Sequence, residues 1–264
     1  MKPNRRTAPI VAVTVLIAAL VGVACTSTVP ETGRKQINML PPAKEAALGL
    51  GEFQKMKQTK KISADPRLND FVQRVGKRLS IVMPVPNAEW EFVVFEDPSP
   101  NAFALPGGKV GVHTGLFQVS QNEAGLAAVI GHEVAHVVAR HSGERVSQQV
   151  LAGAAVAGAG YMLNRDGRDG TVPTAALGAA ALLGTRHFSR QQELEADRMG
   201  AIFMARAGYD PREAVELWKR FAAWKQKNSQ GGGGPNFLST HPLDETRIEQ
   251  LQHYLPEALA EYKG

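Results

Sequence analysis

The five residues His132-Glu133-Val134-Ala135-His136 decide how this chain of 264 residues is interpreted. Residues four apart on an α-helix lie on one face, so the two imidazoles can bind a single zinc ion. Glu133 is rotated by about 100° from His132 and can reach the open side of such a metal. A buried helix with two hydrogen-bonded histidines and a surface glutamate is the alternative, because composition alone produces such a pentapeptide in roughly one chain in a hundred.

The residues before this motif favour a helix. Ser120 and Glu123 have the spacing of a capping box, in which each side chain binds a backbone N–H of the first turn. Apolar side chains then recur with helical period at positions such as Leu126 and Val129. We therefore predict that this helix begins at Ser120. His141 lies near the face opposite to His132, and we expect it to be structural or exposed.

A catalytic zinc site needs three protein ligands and one open position, so a third ligand must come from elsewhere. A metzincin would carry glycine at the position of Ala139 and histidine at the position of Ser142, which excludes that subclass. The stretch Glu193-Leu194-Glu195-Ala196-Asp197 is the obvious source, with two glutamates to choose from.

Helical geometry separates the two glutamates of this stretch. Glu193 and Asp197 are four residues apart and share a face, whereas Glu195 points about 200° away from Glu193. A ligand carboxylate beside a second carboxylate suits zinc, because Asp197 can accept the ring N–H of a ligand histidine. We therefore expect Glu195 to be a solvated surface residue. An ordinary charged helix face is the alternative for the whole stretch.

Further motifs surround these two, and together they resemble the HtpX and CAAX-prenyl-protease family of zinc metallopeptidases. The nearest likeness is to its exported bacterial BepA- and LoiP-like branch. The resemblance covers residues 32–251. It includes both stretches above, Gly33-Arg34-Lys35-Gln36, residues 101–108 (NAFALPGG), residues 207–211 (AGYDP), residues 239–242 (STHP), and Arg247.

The resemblance implies roles for the residues of the two central motifs. It makes His132, His136 and Glu193 the ligands of one zinc ion per chain. It makes Glu133 the general base, with Asp197 supporting the site from outside the ligand set.

The resemblance also implies three residues that assist the site. His241 would stabilise the oxyanion or cap the zinc in a closed state, unless it only starts a helix before Pro242. Arg247 would support the same site, unless it is a surface arginine. Asn101 would assist from the hairpin. The membrane-embedded members carry several spanning helices that this chain lacks, so neither a prenylated substrate nor an intramembrane chamber is implied.

The N-terminus predicts export. A basic start precedes an apolar run over residues 8–24, and Ala24 precedes Cys25, the only cysteine. This resembles a bacterial lipoprotein signal, with residues 1–24 removed, Cys25 lipidated and residues 25–34 as a tether to a peptidase domain at 35–264. An uncleaved anchor or ordinary secretion is the alternative. A single cysteine excludes an intramolecular disulfide and a cysteine-based metal cluster.

Composition excludes several other classes of protein. A hydrophobic fraction of 44% and a charged fraction of 21% argue against disorder. No apolar run reaches the roughly 20 residues of a spanning helix, which disfavours a polytopic membrane protein. Three of the five net positive charges belong to Lys2, Arg5 and Arg6, so we expect no nucleic-acid partner.

The remaining sequence predicts an α+β zincin domain, mostly helical with a small sheet. Residues 41–79 are expected to form two helices separated near residues 63–66, residues 89–95 a strand, and residues 101–113 a hairpin with its turn at 106–108. Helices should begin at Ser189 and Asp210 and follow Pro242. The Ala- and Gly-rich residues 150–183 predict a helical hairpin packed on the body, or contact with a membrane surface.

These observations predict hydrolysis of peptide bonds in protein or peptide substrates. The hairpin would supply an edge strand on which an extended substrate lies. An envelope assembly factor that keeps the zinc site but rarely cuts is the alternative, and assembly partners in the envelope are possible in either case. Residues 231–234 are all glycine and predict a flexible loop that could bring His241 to the zinc and release it.

Overall fold

Groups of short strands and groups of helices follow one another in the computed structural model, which describes residues 26–165, 188–228, 237–242 and 245–263. The strands are β1 (Thr26–Thr28), β2 (Lys35–Ile37), β3 (Glu91–Phe95), β4 (Ala102–Leu105) and β5 (Lys109–His113). The helices are α1 (Pro42–Thr59), α2 (Pro66–Ser80), α3 (Phe117–Ser120), α4 (Glu123–Val138), α5 (His141–Arg165), α6 (Arg190–Arg206), α7 (Arg212–Asn228), α8 (Phe237–Thr240) and α9 (Glu245–Glu261). The predicted α+β class, mostly helical, is confirmed.

The two sheets are small. Strands β1 and β2 form an antiparallel pair, and the other three strands have the order β3-β5-β4. Strand β5 is parallel to β3 and antiparallel to β4, so every residue of this central strand is buried. The predicted turn between β4 and β5 is present, and Gly107 and Gly108 adopt φ of 89° and 82°, which side chains disfavour.

Helix α4, which carries the His-Glu-Val-Ala-His motif, runs through the middle of the core. It packs against β4, α2, α6 and α7, and most of its side chains are buried. Helix α4 crosses α6 at close range where Gly131 and Gly200 face each other. A Cβ atom on Gly200 would lie 2.8 Å from the His132 backbone nitrogen, and one on Gly131 would lie 2.9 Å from the Gly200 carbonyl oxygen.

The predicted start of α4 is wrong by one turn. Ser120 ends the short helix α3, and Gln121 then adopts φ of 62°, which separates the two helices. Asn122 caps α4 instead, because its side-chain oxygen accepts a hydrogen bond of 2.7 Å from the Gly125 N–H. The Ser120 hydroxyl is buried with no hydrogen-bond partner among the described residues.

The other predicted helix starts agree with the structure. Asp65 caps α2, with Pro66 in its first turn. Ser189 and Gln192 form both hydrogen bonds of a capping box at the start of α6. The side chain of Asp210 accepts a hydrogen bond of 2.9 Å from the N–H of Arg212 at the start of α7.

The Ala- and Gly-rich residues 150–183 only partly overlap the described chain. Helix α5 continues through Arg165 as a single helix. Residues 150–157 are exposed or half-exposed, so the expected close packing on the body is wrong for them. Residues 166–187 lie outside the described chain, as do residues 1–25 and the loop 231–234. None of the helices in the described ranges is long and apolar enough to cross a membrane.

Candidate metal centre

Four buried side chains converge at the centre of the domain. They are His132, His136, Glu193 and His241, and one possible ligand atom from each lies within 4.8 Å of the others. Helix α4 supplies the first two, the first turn of α6 supplies Glu193, and His241 directly follows the short helix α8. Two of these elements, α4 and α6, meet at the crossing of Gly131 and Gly200.

The distances between these atoms match those around a four-coordinate zinc ion. Zinc lies about 2.0–2.1 Å from nitrogen ligands, which places neighbouring ligand atoms about 3.3 Å apart. Nε2 of His132 lies 3.2 Å from Nε2 of His136 and 3.2 Å from Nδ1 of His241. An oxygen of Glu193 lies 2.9 Å from the same nitrogen of His241 and 3.7 Å from Nε2 of His136. The donor set and its spacing therefore fit zinc.

Asp197 and Arg247 contact two of the four candidate ligands. Nδ1 of His132 lies 2.9 Å from Oδ1 of Asp197. Arg247 donates two hydrogen bonds of 2.9 Å to Asp197, and its Nη1 lies 2.8 Å from Oε2 of Glu193. Arg247 is only 1% exposed, so the surface alternative is wrong for it. One guanidinium thus fixes the carboxylates of Glu193 and Asp197.

These carboxylates favour a positive charge among the histidines. Burial alone would lower the pKa of His132, but Asp197 and Glu193 outweigh it and raise that pKa to about 9. Burial would raise the pKa of Glu193, but hydrogen bonds from His132 and His241 hold it well below its usual range. Burial lowers the pKa of His136 well below its ordinary value, which keeps this ring neutral, as a metal ligand must be.

Glu133 lies beside the metal group. It is buried on α4 and receives a hydrogen bond from the backbone N–H of Ala104, on the free edge of β4. Its Oε1 lies 3.2 Å from Nε2 of His241. Burial raises the pKa of Glu133 while the neighbouring histidines oppose that shift, and the net change is upward. A carboxylate with a raised pKa suits a general base that works near neutral pH.

A cavity of about 240 Å³ opens beside this carboxylate. Its wall includes Glu133, His241, Asn101, Phe188 and the edge strand β4. The side-chain oxygen of Asn101 is buried with no hydrogen-bond partner within the described ranges. The backbone N–H of Phe237 donates to Pro100 at 3.1 Å, which places α8 and His241 against the start of this strand.

Glu195 does not lie on the surface, and the expectation of a solvated side chain is wrong. It is 7% exposed, because the β1–β2 hairpin covers the face of α6 that points away from Glu193. Glu195 accepts hydrogen bonds from Thr32 and Arg34, the latter at 2.7 Å, and lies 2.9 Å from Nε2 of His141. Burial alone would raise the pKa of Glu195, but these hydrogen bonds lower it to about 2.

His141 is fully buried, so it is structural rather than exposed. Its Nδ1 lies 2.8 Å from Nδ1 of His136, the nitrogen of that ring that points away from the metal group. Arg34 extends the same network, because it also donates to Glu144 at 2.8 and 2.9 Å. Gln192 donates to that carboxylate at 2.7 Å.

Sequence reasoning missed this network and one aromatic contact. Phe188 packs on the ring of His136 with 3.9 Å between ring centroids. The Gly33-Arg34-Lys35-Gln36 stretch was the signal that could have revealed the network, since it belongs to the same resemblance as the two central motifs. Gln36 donates to the Ala139 carbonyl at 2.7 Å, at the end of α4.

Several known proteins are similar in sequence to this chain. Residues 66–255 match the family described as Peptidase family M48. The mitochondrial metalloendopeptidase OMA1 of Schizosaccharomyces pombe is 40% identical over 188 residues, which are 71% of this chain and 53% of that protein. A putative beta-barrel assembly-enhancing protease of Vibrio cholerae is 31% identical over 239 residues, or 88% of this chain and 49% of that protein. The Escherichia coli K12 beta-barrel assembly-enhancing protease is 28% identical over 238 residues, 86% of this chain and 47% of its own length. The chain thus spans about half the length of these relatives.

Proposed function

This chain belongs to peptidase family M48 and is a metallopeptidase, and on that basis we propose that it is a zinc-dependent endopeptidase of the bacterial cell envelope. The observation that carries the proposal is the buried group of His132, His136, Glu193 and His241 beside Glu133. Its proposed substrates are unfolded or misassembled envelope proteins.

We assign the chemistry to the residues in these positions. His132, His136 and Glu193 would hold the zinc, which polarises a scissile carbonyl and lowers the pKa of water when bound. Glu133 takes the proton of the attacking water and delivers it to the leaving amine. Asp197 keeps the proton of His132 on Nδ1, which leaves Nε2 free for the metal. Arg247 keeps Asp197 and Glu193 charged and in place.

The substrate path follows from the free edge of β4. Among the described strands it pairs only with β5, and its other side faces the cavity that contains Glu133. An extended peptide can add to such an edge through main-chain hydrogen bonds, which give affinity with little sequence preference. This would suit a protease that acts on unfolded segments, and Asn101 at the start of the strand would help to position them.

The position of His241 supports a closed state for this site. Its Nδ1 lies among the ligand atoms, while its Nε2 faces Glu133. A fourth protein ligand takes the place that a catalytic site leaves open for water. We therefore propose that His241 caps the zinc and must move away before Glu133 can activate water. The glycine loop at residues 231–234, outside the described chain, would allow this movement.

The envelope location rests on the N-terminus and on the bacterial relatives. Both mitochondrial and bacterial proteins share this domain, so similarity to them does not indicate the cellular compartment of this chain. The basic start, the apolar residues 8–24 and the Ala24-Cys25 pair support an exported lipoprotein, with residues 25–34 as tether and 35–264 as peptidase domain. The beta-barrel assembly-enhancing proteases support a role in envelope protein quality control.

A digest of casein by the purified, zinc-loaded protein tests this function. Glu133→Gln should lose at least about 100-fold in cleavage rate, because general base catalysis contributes about 10²–10⁴. Zinc content should stay at one ion per chain in this variant, whereas His136→Ala and Glu193→Ala should lose the ion.

Glu257→Gln is the matched control, because Glu257 is an exposed partner of Arg198 far from the cavity. It should cleave casein at the wild-type rate. If Glu133→Gln and wild type digest casein equally, the proposed mechanism is refuted. If neither cuts although both hold zinc and prevent aggregation of an unfolded protein, the assembly-factor alternative is favoured.

A further inference from the structure

We infer that His141 and Glu195 form a relay that keeps His136 in the only neutral tautomer able to bind the metal, and that the β1–β2 hairpin anchors this relay. The inference deepens the proposed function and rests on it. The relay consists of two contacts in series, 2.8 Å between the Nδ1 atoms of His136 and His141 and 2.9 Å from Nε2 of His141 to Glu195.

The carboxylate of Glu195 determines where the rings of His141 and His136 carry their protons. Glu195 is a carboxylate and can only accept, so the proton of neutral His141 belongs on Nε2. Nδ1 of His141 then has a lone pair and must accept from Nδ1 of His136. The proton of His136 is therefore on Nδ1, and its Nε2 is left free to face the other ligand atoms.

The reverse arrangement would disable the site. If His141 carried its proton on Nδ1, it would donate to His136 and drive the proton of that ring onto Nε2. A protonated Nε2 cannot bind a metal ion. With its proton on Nδ1, His141 would also place an unprotonated Nε2 2.9 Å from the Glu195 oxygen, so that two hydrogen-bond acceptors would face each other. The carboxylate of Glu195 thus excludes the tautomer that does not bind metal.

The hairpin holds Glu195 in the orientation that the relay needs. Thr32 donates to Oε1 of Glu195, and Arg34 donates to Oε2 at 2.7 Å. Both residues lie in the turn between β1 and β2, which is 161 residues or more from Glu195 along the chain. His132 has a carboxylate directly behind it, whereas His136 reaches one through a second imidazole. Both ligand histidines are therefore oriented by a carboxylate on α6.

Zinc affinity of the whole chain, measured by competition with a chromogenic chelator, tests the relay. Glu195→Gln should weaken zinc binding by about 10–100-fold, the usual loss for a partner outside the ligand set. Glu144→Gln is the matched control, since Glu144 shares Arg34 but makes no hydrogen bond to His141 in the described structure. It should change the affinity by less than about threefold. Equal losses in both variants would overturn the relay and leave only a structural network.

A second readout distinguishes orientation from stability. In zinc-loaded protein, NMR should show the Nδ1–H proton of His136 as slowly exchanging, and His141→Phe should remove this signal while the fold remains. If the Nδ1–H proton of His136 exchanges as slowly in His141→Phe as in the wild type, His141 is not its acceptor and the relay is overturned. If the wild type itself binds no zinc, the proposed function fails first, which is a different outcome from normal zinc binding in Glu195→Gln.

Discussion

The ring of His241 contacts both the candidate ligands and the candidate base. Its Nδ1 lies 2.9 Å from a Glu193 oxygen, and its Nε2 lies 3.2 Å from a Glu133 oxygen. An imidazole in this position can act in two ways. It can occupy the metal and block water, or it can donate to the oxyanion once it has moved aside. The two actions change activity in opposite directions.

His241→Ala separates them. We expect faster cleavage of an unfolded substrate by the variant than by the wild type at equal zinc loading, because the capping nitrogen is lost. Initial rates over a range of substrate concentrations measure this. His253→Ala, which removes an exposed histidine of α9, should leave the rate unchanged. A fall by about 10²–10³ at every concentration would instead make His241 an oxyanion donor and refute the cap.

Helix α4 depends on its first turn for the placement of both histidines. Asn122→Ala should lower the free energy of unfolding by about 1 kcal/mol, the usual loss for a helix cap. Urea denaturation of the metal-free protein measures this. Ser120→Ala should change it by less than about 0.5 kcal/mol, because that hydroxyl has no partner among the described residues. A larger loss for Ser120→Ala than for Asn122→Ala would contradict the observed cap.

Local sequence signals predicted most of the helices and strands. The Ser189 capping box and the turn at Gly107 and Gly108 were predictable because their hydrogen bonds and dihedral angles involve only neighbouring residues. The start of α4 was predicted wrongly at Ser120 because Ser120 and Glu123 have the capping-box spacing whether or not the chain turns between them. The positive φ of Gln121, which ends one helix and allows the next to start, left no such pattern.

The metal group was predictable to the extent that helix periodicity could place it. Periodicity placed Glu193 and Asp197 on one face and Glu195 on another, which is correct. Periodicity could not show that the face of α6 with Glu195 is also buried, because the β1–β2 hairpin that buries it lies more than 150 residues away along the chain. Periodicity could not show the burial of Arg247 for the same reason, since its partners lie on α6, and only the family resemblance implied that it supports the site.

At the scale of the whole molecule, the proposed anchor depends on one atom. Cys25→Ser should abolish labelling by a radioactive fatty acid and leave the precursor uncleaved, because no other cysteine can form the thioether. Labelling of growing cells followed by gel electrophoresis measures both effects. Ser27→Ala, a neighbouring change, should be processed normally. If the Cys25→Ser protein has the wild-type size and still enters the detergent phase, residues 8–24 form the anchor themselves.

The four candidate ligands come from three separate segments of the chain, which contain His132, Glu193 and His241, so zinc bound as proposed would tie metal supply to protein turnover. An ion that binds only the folded form stabilises it by about 4 kcal/mol when its concentration is a thousand times the dissociation constant. A copy that is starved of zinc loses this contribution, and its helices α4 and α6 and the His241 segment are no longer cross-linked. It therefore shifts toward the unfolded proteins that loaded copies are proposed to cut. Scarcity of zinc would then lower the number of molecules as well as the activity of each, and the loaded copies would remove the empty ones.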